Sequence, residues 1–222
     1  MLKTQDPPAD WPPSIANWLA FTNGAGWIAT DEFPLFTDAW ITGEIGVGPY
    51  QFINTVAFNS RAARTAIVLR YAMHQPWKEP NFQKTNTDLY HAGSAPQEVA
   101  AFASLAMGVR LKAGHATRRF EPNGDPLGRP NEMRSRGSPY FDAPDSYILP
   151  SAVGAHSLDL LQILNRLPSL SAASACAIVR AARLYQDALW FSESQPGLAW
   201  LLLHTSGTLK SSNLQDNNCK FQ

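Results

Sequence analysis

Basic residues that could contact phosphate are concentrated in one part of the sequence. Seven of the eighteen Lys and Arg residues fall between positions 110 and 136. They are Arg110, Lys112, Arg118, Arg119, Arg129, Arg134 and Arg136. A guanidinium can donate two parallel hydrogen bonds to phosphate oxygens, so this segment predicts a surface that binds phosphate or nucleic acid. The alternative is a loop whose arginines pair with its own acidic residues.

Arg110 and His115 form the candidate catalytic pair. Four residues separate them, and an Arg-x4-His spacing is typical of a metal-independent ribonuclease, in which the two side chains act on the 2′-hydroxyl and the phosphate. About one Arg and His pair at such a spacing is expected by chance in a chain with twelve arginines and five histidines. Catalysis by this pair is therefore one hypothesis, and a structural role for both residues is the other.

Two carboxylates, Asp142 and Asp145, lie in the proline-bounded stretch FDAPD. Paired carboxylates can serve acid–base chemistry or bind a hard cation, but a turn with side-chain-to-backbone hydrogen bonds explains them as simply. The five histidines include no His-x3-His pair. The sequence also lacks the glycine-rich and nucleophile-elbow motifs of common hydrolases and nucleotide-binding proteins. No metal and no cofactor are predicted.

Seven tryptophans are spread along the chain. On an exposed sheet face they would stack against sugars or bases, and in a core they would serve as packing residues. Trp190 and Trp200 are expected to pack within the C-terminal helices.

The composition predicts a folded protein with a sizeable core. Apolar residues make up 45% of the chain and charged residues 16%, and eighteen basic residues balance eighteen acidic ones. No apolar run approaches the roughly 18 residues that span a bilayer. The first residues lack the pattern of a secretory signal, and Cys176 and Cys219 form neither a disulfide framework nor a metal-binding pair. These features favour the reducing cytoplasm.

The N-terminal half is predicted to be rich in β-strands. Residues 1–14 are expected to form an extended arm because of their prolines and acids. The segments GWIAT, YQFINTVAF and RTAIVLRYAMH have the length and the β-branched and aromatic content of strands. In the last of these, Arg70 interrupts an apolar run that otherwise indicates a central strand. No helix is predicted before residue 94.

A helix is predicted near residues 95–113. Ser94 and Gln97 form a capping-box pattern with Pro96 in the first turn, and Gly114 would end the helix. Residues 115–150 contain many prolines and glycines, which predicts a long loop without a helix or a central strand.

The last third of the chain is predicted to be helical. Ser157 would cap a short helix, Ser171 a longer one, and Pro196 would begin the next. Helical hydrophobic spacing is lost after Thr205, so a polar C-terminal tail is expected. The predicted fold class is α+β, with a β-rich domain over 1–150 and a helical region over 151–222 that forms a hairpin, an incomplete helical bundle.

The stretch AARLYQDALWFSESQPGLAWLLL resembles uncharacterised bacterial proteins in which a β-rich N-terminal region precedes a HEPN-like helical domain of the Apea-like sort. AIVLRY and LAMGVRLKAG, with GDPLGRP further on, also resemble that group. The resemblance covers residues 60–205. It implies a helical bundle that forms dimers and, in nuclease members of phage-defence and toxin systems, cleaves RNA.

The same resemblance implies a glutamate near Thr208 and an Arg-x4–6-His segment beyond it. This sequence has HTSGTLKSSN there. Arg110 and His115 lie in a different region, so the resemblance does not transfer the nuclease role to them. We therefore expect a truncated, degenerate HEPN-like region.

Three functions remain open at the level of sequence. The first is a cytoplasmic ligand- or partner-binding module that forms a homodimer through its C-terminal helices. The second is a metal-independent ribonuclease of a phage-defence or toxin type, which would have RNA as its partner. The third is a carbohydrate-binding β domain that uses exposed tryptophans with Asp142 or Asp145.

Overall fold

The computed structural model describes residues 11–54, 64–75, 93–121, 129–130 and 154–218. Helices and a mostly antiparallel sheet combine in these residues, which confirms the predicted α+β class. Within the same residues, no helix is both long enough and apolar enough to cross a membrane.

Seven strands form the main sheet within the described part of the chain. They are β1 (Ala29–Thr37), β3 (Ile45–Val47), β4 (Tyr50–Asn54), β5 (Arg64–Met73), β6 (Lys112–Ala113), β7 (Arg118–Phe120) and β8 (Arg129–Pro130). The order is β3-β4-β5-β1-β7-β8, and β6 pairs with another part of β1. All of these pairings are antiparallel. A separate parallel pair joins β2 (Trp40–Thr42) to β9 (Ala155–Ser157).

The described helical elements are α1 (Pro13–Thr22), α2 (Ala95–Met107), a 3₁₀ helix (Leu158–Ser169), α3 (Ala172–Phe191) and α4 (Pro196–Asn218). Buried residues of the first four pack with one face of the main sheet in a common core, and α4 packs against α3. Side chains alternate between the two faces of a strand, and Phe33, Leu35, Leu69 and Tyr71 lie in the buried core on the helical side. The residues between them, among them Glu32 and Arg70, therefore point to the opposite face.

The N-terminal segment differs from the sequence-based expectation, because α1 begins at Pro13. Proline is favoured at the first helical position, where its missing N–H group has no helical partner to lose. The buried carboxylate of Glu98 in α2 accepts a hydrogen bond from the Ser14 N–H group at 2.9 Å. A negative charge at a helix N-terminus is stabilising. This helix is held by a residue that lies 84 positions away in the sequence.

The first predicted helix is confirmed at its start but ends earlier than expected. Gln97 Oε1 accepts a hydrogen bond from the Ser94 N–H group at 3.3 Å, as the capping-box pattern predicted. The helix ends at Met107 and is capped by Gly108, which adopts the left-handed conformation with φ of 71°, and not by Gly114. Val109 and Leu111 then enter the buried core.

The prediction of an uninterrupted loop over 115–150 is wrong in its first part. Strand β7 lies within this range and pairs with β1, and β8 pairs with β7. Short strands with charged residues carry little local signal, since their pairing depends on distant partners. Residues 122–128 and 131–150 of the predicted loop lie outside the described residues.

The C-terminal helices begin where the sequence predicted. The side-chain oxygens of Ser157 and Ser171 accept hydrogen bonds from the N–H groups of Asp159 and Ser174. Helix α4 begins at Pro196, as expected, but its backbone continues to Asn218, beyond the point where hydrophobic spacing is lost. The short first element is a 3₁₀ helix.

Helices α3 and α4 pack closely through small residues. Ala181 and Ala188 of α3 and Ala199 of α4 are buried. Ser206 Oγ of α4 donates a hydrogen bond to the Ala181 carbonyl at 2.9 Å. Small side chains of this kind allow two helix backbones to approach each other, which agrees with the predicted hairpin.

Candidate ligand-binding site on the open sheet face

A cleft of about 610 Å³ lies on the sheet face opposite the buried core. Its floor is formed by residues of β1, β4, β5 and β7. Its rim is formed by the end of α1, the segment that joins α1 to β1, and the turn between β3 and β4. This volume falls within the range of pockets that bind small molecules.

A row of charged residues runs along the floor of the cleft, where Arg70 and Arg118 line the cleft and Glu32 lies sheltered between them. Glu32 of β1 lies directly opposite Arg70 of β5 on one side and Arg118 of β7 on the other. Gln51 of β4 lies opposite Arg70 and extends the row. Directly opposite residues in antiparallel strands have Cβ atoms about 5 Å apart, so the register alone brings these side chains together.

The carboxylate of Glu32 is held between the two guanidinium groups. Arg70 Nε lies 2.8 Å from Glu32 Oε1, and Arg118 Nε lies 3.6 Å from Glu32 Oε2. The Glu32 side chain is 7% exposed, whereas those of Arg70 and Arg118 are 41% and 37% exposed. The cleft therefore presents two partly accessible cations around one sheltered carboxylate.

Aromatic rings surround the charged row. The guanidinium of Arg118 lies 5.0 Å from the ring centre of Phe120, and that of Arg70 lies 5.9 Å from it. Such cation–π contacts hold the cationic groups near the ring face. On the rim, Phe21 and Trp27 are 42% and 43% exposed. Exposed rings beside cations suit a ligand that carries both a planar ring and a negative charge.

Hydrogen bonds fix the orientation of two residues that line the cleft, Trp27 and His74. Trp27 Nε1 donates to Thr30 Oγ1 at 3.0 Å. His74 Nδ1 lies 2.9 Å from the Ala25 carbonyl oxygen, which can only accept, so this nitrogen carries the hydrogen. The His74 ring also makes an edge contact with Phe21, with ring centres 5.0 Å apart.

Gly48 forms part of the cleft wall, at a position where a larger residue would not fit. Its φ angle is +54°, in the left-handed region that favours glycine, and a Cβ atom would lie 2.2 Å from Cε2 of Trp18. The buried Trp18 ring thus packs directly beneath the turn between β3 and β4.

Arg110, the arginine of the predicted catalytic pair, lies in the core. Its side chain is 1% exposed. Two of its nitrogen atoms donate to the Glu193 carboxylate at 3.0 and 2.6 Å, and Nε lies 3.4 Å from Asp38 Oδ2. His115 is exposed on the surface. The structure therefore does not bring Arg110 and His115 together beside an open cleft.

The other residues of the predicted basic surface are dispersed. Arg119 faces away from the cleft and donates two hydrogen bonds to Asp31, which raise the pKa of its guanidinium above the ordinary value. Lys112 lies 3.3 Å from Asp187. Arg129 lies opposite Arg119 in the backbone register of β7 and β8. Of the predicted residues, Arg118 lines the cleft.

Four further residues singled out from the sequence lie outside the described part of the chain. They are Arg134, Arg136, Asp142 and Asp145. Of the two tryptophans expected to pack, Trp190 is buried, but Trp200 is 67% exposed, which corrects that expectation.

Sequence reasoning missed Glu32 as a site residue, although Arg70 did stand out. A charged residue within an apolar strand is a usable signal, and both Arg70 and Glu32 provide it. What the sequence does not show is the strand register that sets the two side by side.

Within the described residues, no group of three or more His, Cys, Asp or Glu side chains is placed to hold a metal ion. Comparison of the chain with protein-family models, with curated proteins and with solved structures gives no significant match.

Proposed function

We propose that this protein is a binding module whose open sheet face holds a small ligand with a planar ring and an anionic group. The observation that carries the proposal is the coincidence, in one cleft, of two partly exposed arginines with exposed aromatic rings. No catalytic step is part of this proposal.

The anionic part of the ligand would lie against Arg70 and Arg118. Guanidinium groups form strong, directional hydrogen bonds with carboxylate and phosphate oxygens. The pairing of both arginines with Glu32 supports this placement, because it orders their side chains before the ligand arrives. Ordering in advance lowers the entropic cost of binding.

The ring of the ligand would stack near Trp27 and Phe21. Both are large apolar side chains that are exposed at a concave surface, where a stacked ring would cover them. Stacking of a base on an aromatic side chain contributes about 1 to 3 kcal/mol.

Three probes separate recognition of the ring from recognition of the negative charge. Adenosine 5′-(methyl phosphate) has both a ring and one negative charge. Adenosine has the ring without the charge, and dimethyl phosphate has the charge without the ring. Isothermal titration calorimetry should show the combined probe binding at least tenfold more tightly than either part. Equal binding of the combined probe and adenosine would exclude a role for the arginines.

Matched variants locate the site. Arg70→Gln and Trp27→Leu should each weaken binding of the combined probe at least tenfold. Arg166→Gln and Trp40→Leu serve as controls, because Arg166 is an exposed arginine of the 3₁₀ helix and Trp40 is 46% exposed on β2, outside the cleft. A loss of binding in the controls equal to that in the cleft variants would contradict the proposed location.

Single-stranded RNA is a second candidate ligand. It is supported by the placement of Arg118 and Phe120 in the cleft, where a partly exposed guanidinium lies beside an aromatic ring. RNA binding should weaken steeply with salt, because counterions are released from the phosphates. Fluorescence anisotropy of a labelled oligonucleotide at two salt concentrations, with Arg118→Gln and Arg70→Gln, would test this. Salt-independent binding would count against it. The buried position of Arg110 gives the ribonuclease alternative no support.

We also propose that the C-terminal region is HEPN-like and that the protein forms a homodimer through it. Four apolar residues of α4 support self-association, since they are 37% to 67% exposed. They are Leu198, Trp200, Leu201 and Leu203. Sedimentation equilibrium should give a dimer that Trp200→Glu converts to a monomer, whereas Thr208→Glu, on an exposed position of the same helix, should not. A wild-type monomer at all concentrations would exclude the dimer. A cytoplasmic location is proposed as well, supported by the low cysteine content of the chain, which has two cysteines.

A further inference from the structure

Glu32 lies between the two arginines that line the cleft, and it is a group that a binding site for an anion would not need. A carboxylate within a site for a negatively charged ligand opposes binding unless it serves another purpose. We infer that Glu32 makes the cleft selective for ligands with a single negative charge, such as a carboxylate or a phosphodiester, over phosphate monoesters that carry two. This inference rests on the proposed function.

The charges on the cleft floor support this selectivity. Arg70 and Arg118 contribute two positive charges and Glu32 contributes one negative charge, which leaves a net charge of +1 on the row. One negative charge on the ligand neutralises the row. Within the row of described residues, a second negative charge meets no third cation and lies close to the Glu32 carboxylate, where like charges repel.

Glu32 cannot leave the cleft when a ligand binds. Strand β1 is paired on both sides at this position, with β5 and with β7. The Glu32 carbonyl oxygen also accepts hydrogen bonds from the N–H and hydroxyl groups of Thr117, at 2.9 and 3.2 Å. The backbone is therefore fixed, and the short reach of the side chain keeps its carboxylate between the two arginines.

The burial of Glu32 strengthens its effect. Its side chain is 7% exposed, so little water is available to screen its charge. The two arginines are about 40% exposed and can still be reached from solvent. Glu32 thus acts on the ligand through its charge, while the arginines make the contact.

A matched pair of probes measures the selectivity. AMP carries two negative charges on its phosphate at pH 8, because the second pKa of a phosphate monoester is about 6. Its 5′-methyl ester carries one. Calorimetry at pH 8 should show that the wild-type protein binds the methyl ester at least tenfold more tightly than AMP. Glu32→Gln should reduce this ratio at least tenfold.

Two further variants separate the charge effect from effects on folding. Gln51→Lys adds a cation next to Arg70 in the row, at an exposed position, and should also shift the ratio towards AMP. Glu44→Gln removes the same charge as Glu32→Gln, but from an exposed residue outside the cleft, and should leave the ratio unchanged. Thermal melts of each variant establish that it is folded.

The outcomes distinguish the inference from the proposed function. If both probes bind and Arg70→Gln abolishes binding, but Glu32→Gln and Gln51→Lys keep the wild-type ratio, the inference is overturned and the proposed function stands. If no protein binds either probe, the proposed function is overturned and the inference falls with it. A ratio that changes equally in Glu44→Gln would also overturn the inference.

Discussion

Replacing Arg110 by methionine tests whether the buried ion cluster joins the helical hairpin to the rest of the fold. Arg110 lies just after α2 and contacts Glu193, which lies between α3 and α4, and Asp38, which follows β1. The side chains of Arg110, Asp38 and Glu193 are 1%, 0% and 11% exposed. Methionine has a similar length and an apolar side chain, so the variant removes mainly the charge and its hydrogen bonds.

The expected loss of stability is about 3 to 5 kcal/mol, the typical cost of removing one partner from a buried ion pair. This cost is high because the two carboxylates remain in the core without the cation that compensated them. For a domain of this size, such a change lowers the melting temperature by roughly 6 to 20 °C.

Urea unfolding followed by tryptophan fluorescence measures the free-energy change. Lys112→Met is the matched control, since Lys112 is two residues away and pairs with Asp187, with side-chain exposures of 34% and 42%. An exposed pair contributes about 0 to 1 kcal/mol, so the control should lose no more than that.

Equal losses in Arg110→Met and Lys112→Met would refute the reasoning. A loss below about 1 kcal/mol in Arg110→Met would show that the buried cluster does not hold the hairpin in place. Increased stability of Arg110→Met would likewise show that the cluster does not hold the hairpin in place.

Two other predictions concern the core. Burial raises the pKa of both Tyr50 and Tyr71 well above the ordinary tyrosine value of about 10, so the folded protein retains protons that the unfolded chain releases. The contribution of these tyrosines to the free energy of unfolding should therefore be constant below about pH 10 and fall above it by up to about 1.4 kcal/mol per pH unit for each tyrosine, and pH-dependent urea melts that show no such fall would contradict this. Gly48→Ala should cost about 2 to 4 kcal/mol because of backbone strain and the clash with Trp18, whereas Gly24→Ala, which has φ of +76° and nothing within 4 Å, should cost about 1 kcal/mol. Equal costs in thermal melts would show that the Trp18 contact does not matter.

The starts of most helices could be predicted because their signals are local. Ser94, Ser157 and Ser171 precede helical elements, and Pro196 begins α4, as the capping rules require. Helix α1 was missed because its stabilising contact comes from Glu98 of α2, which no local pattern reveals. The start of a helix can thus be predicted when the residues that stabilise it are its neighbours in the sequence.

The candidate site was harder to predict because it depends on strand register. Arg70 is recognisable as a charged residue in an apolar strand, but its partner Glu32 lies 38 positions away. Arg118 belonged to a basic cluster that predicted one continuous surface. In the structure, Arg110 of that cluster is buried and Arg119 points to the other side of the sheet from Arg118. Of the residues in that basic cluster, Arg118 therefore lines the cleft, whereas Arg110 and Arg119 make other contacts.

The most direct test of the cleft as a ligand-binding site is a ¹H–¹⁵N correlation spectrum recorded during titration with adenosine 5′-(methyl phosphate). The Trp27 indole signal, assigned with the Trp27→Phe variant, should shift together with the backbone amides of Thr30 and Phe120. The indole signals of Trp40 and Trp200, which are also exposed, should stay in place. Shifts confined to Trp40 or Trp200, or no shifts at all, would contradict the account.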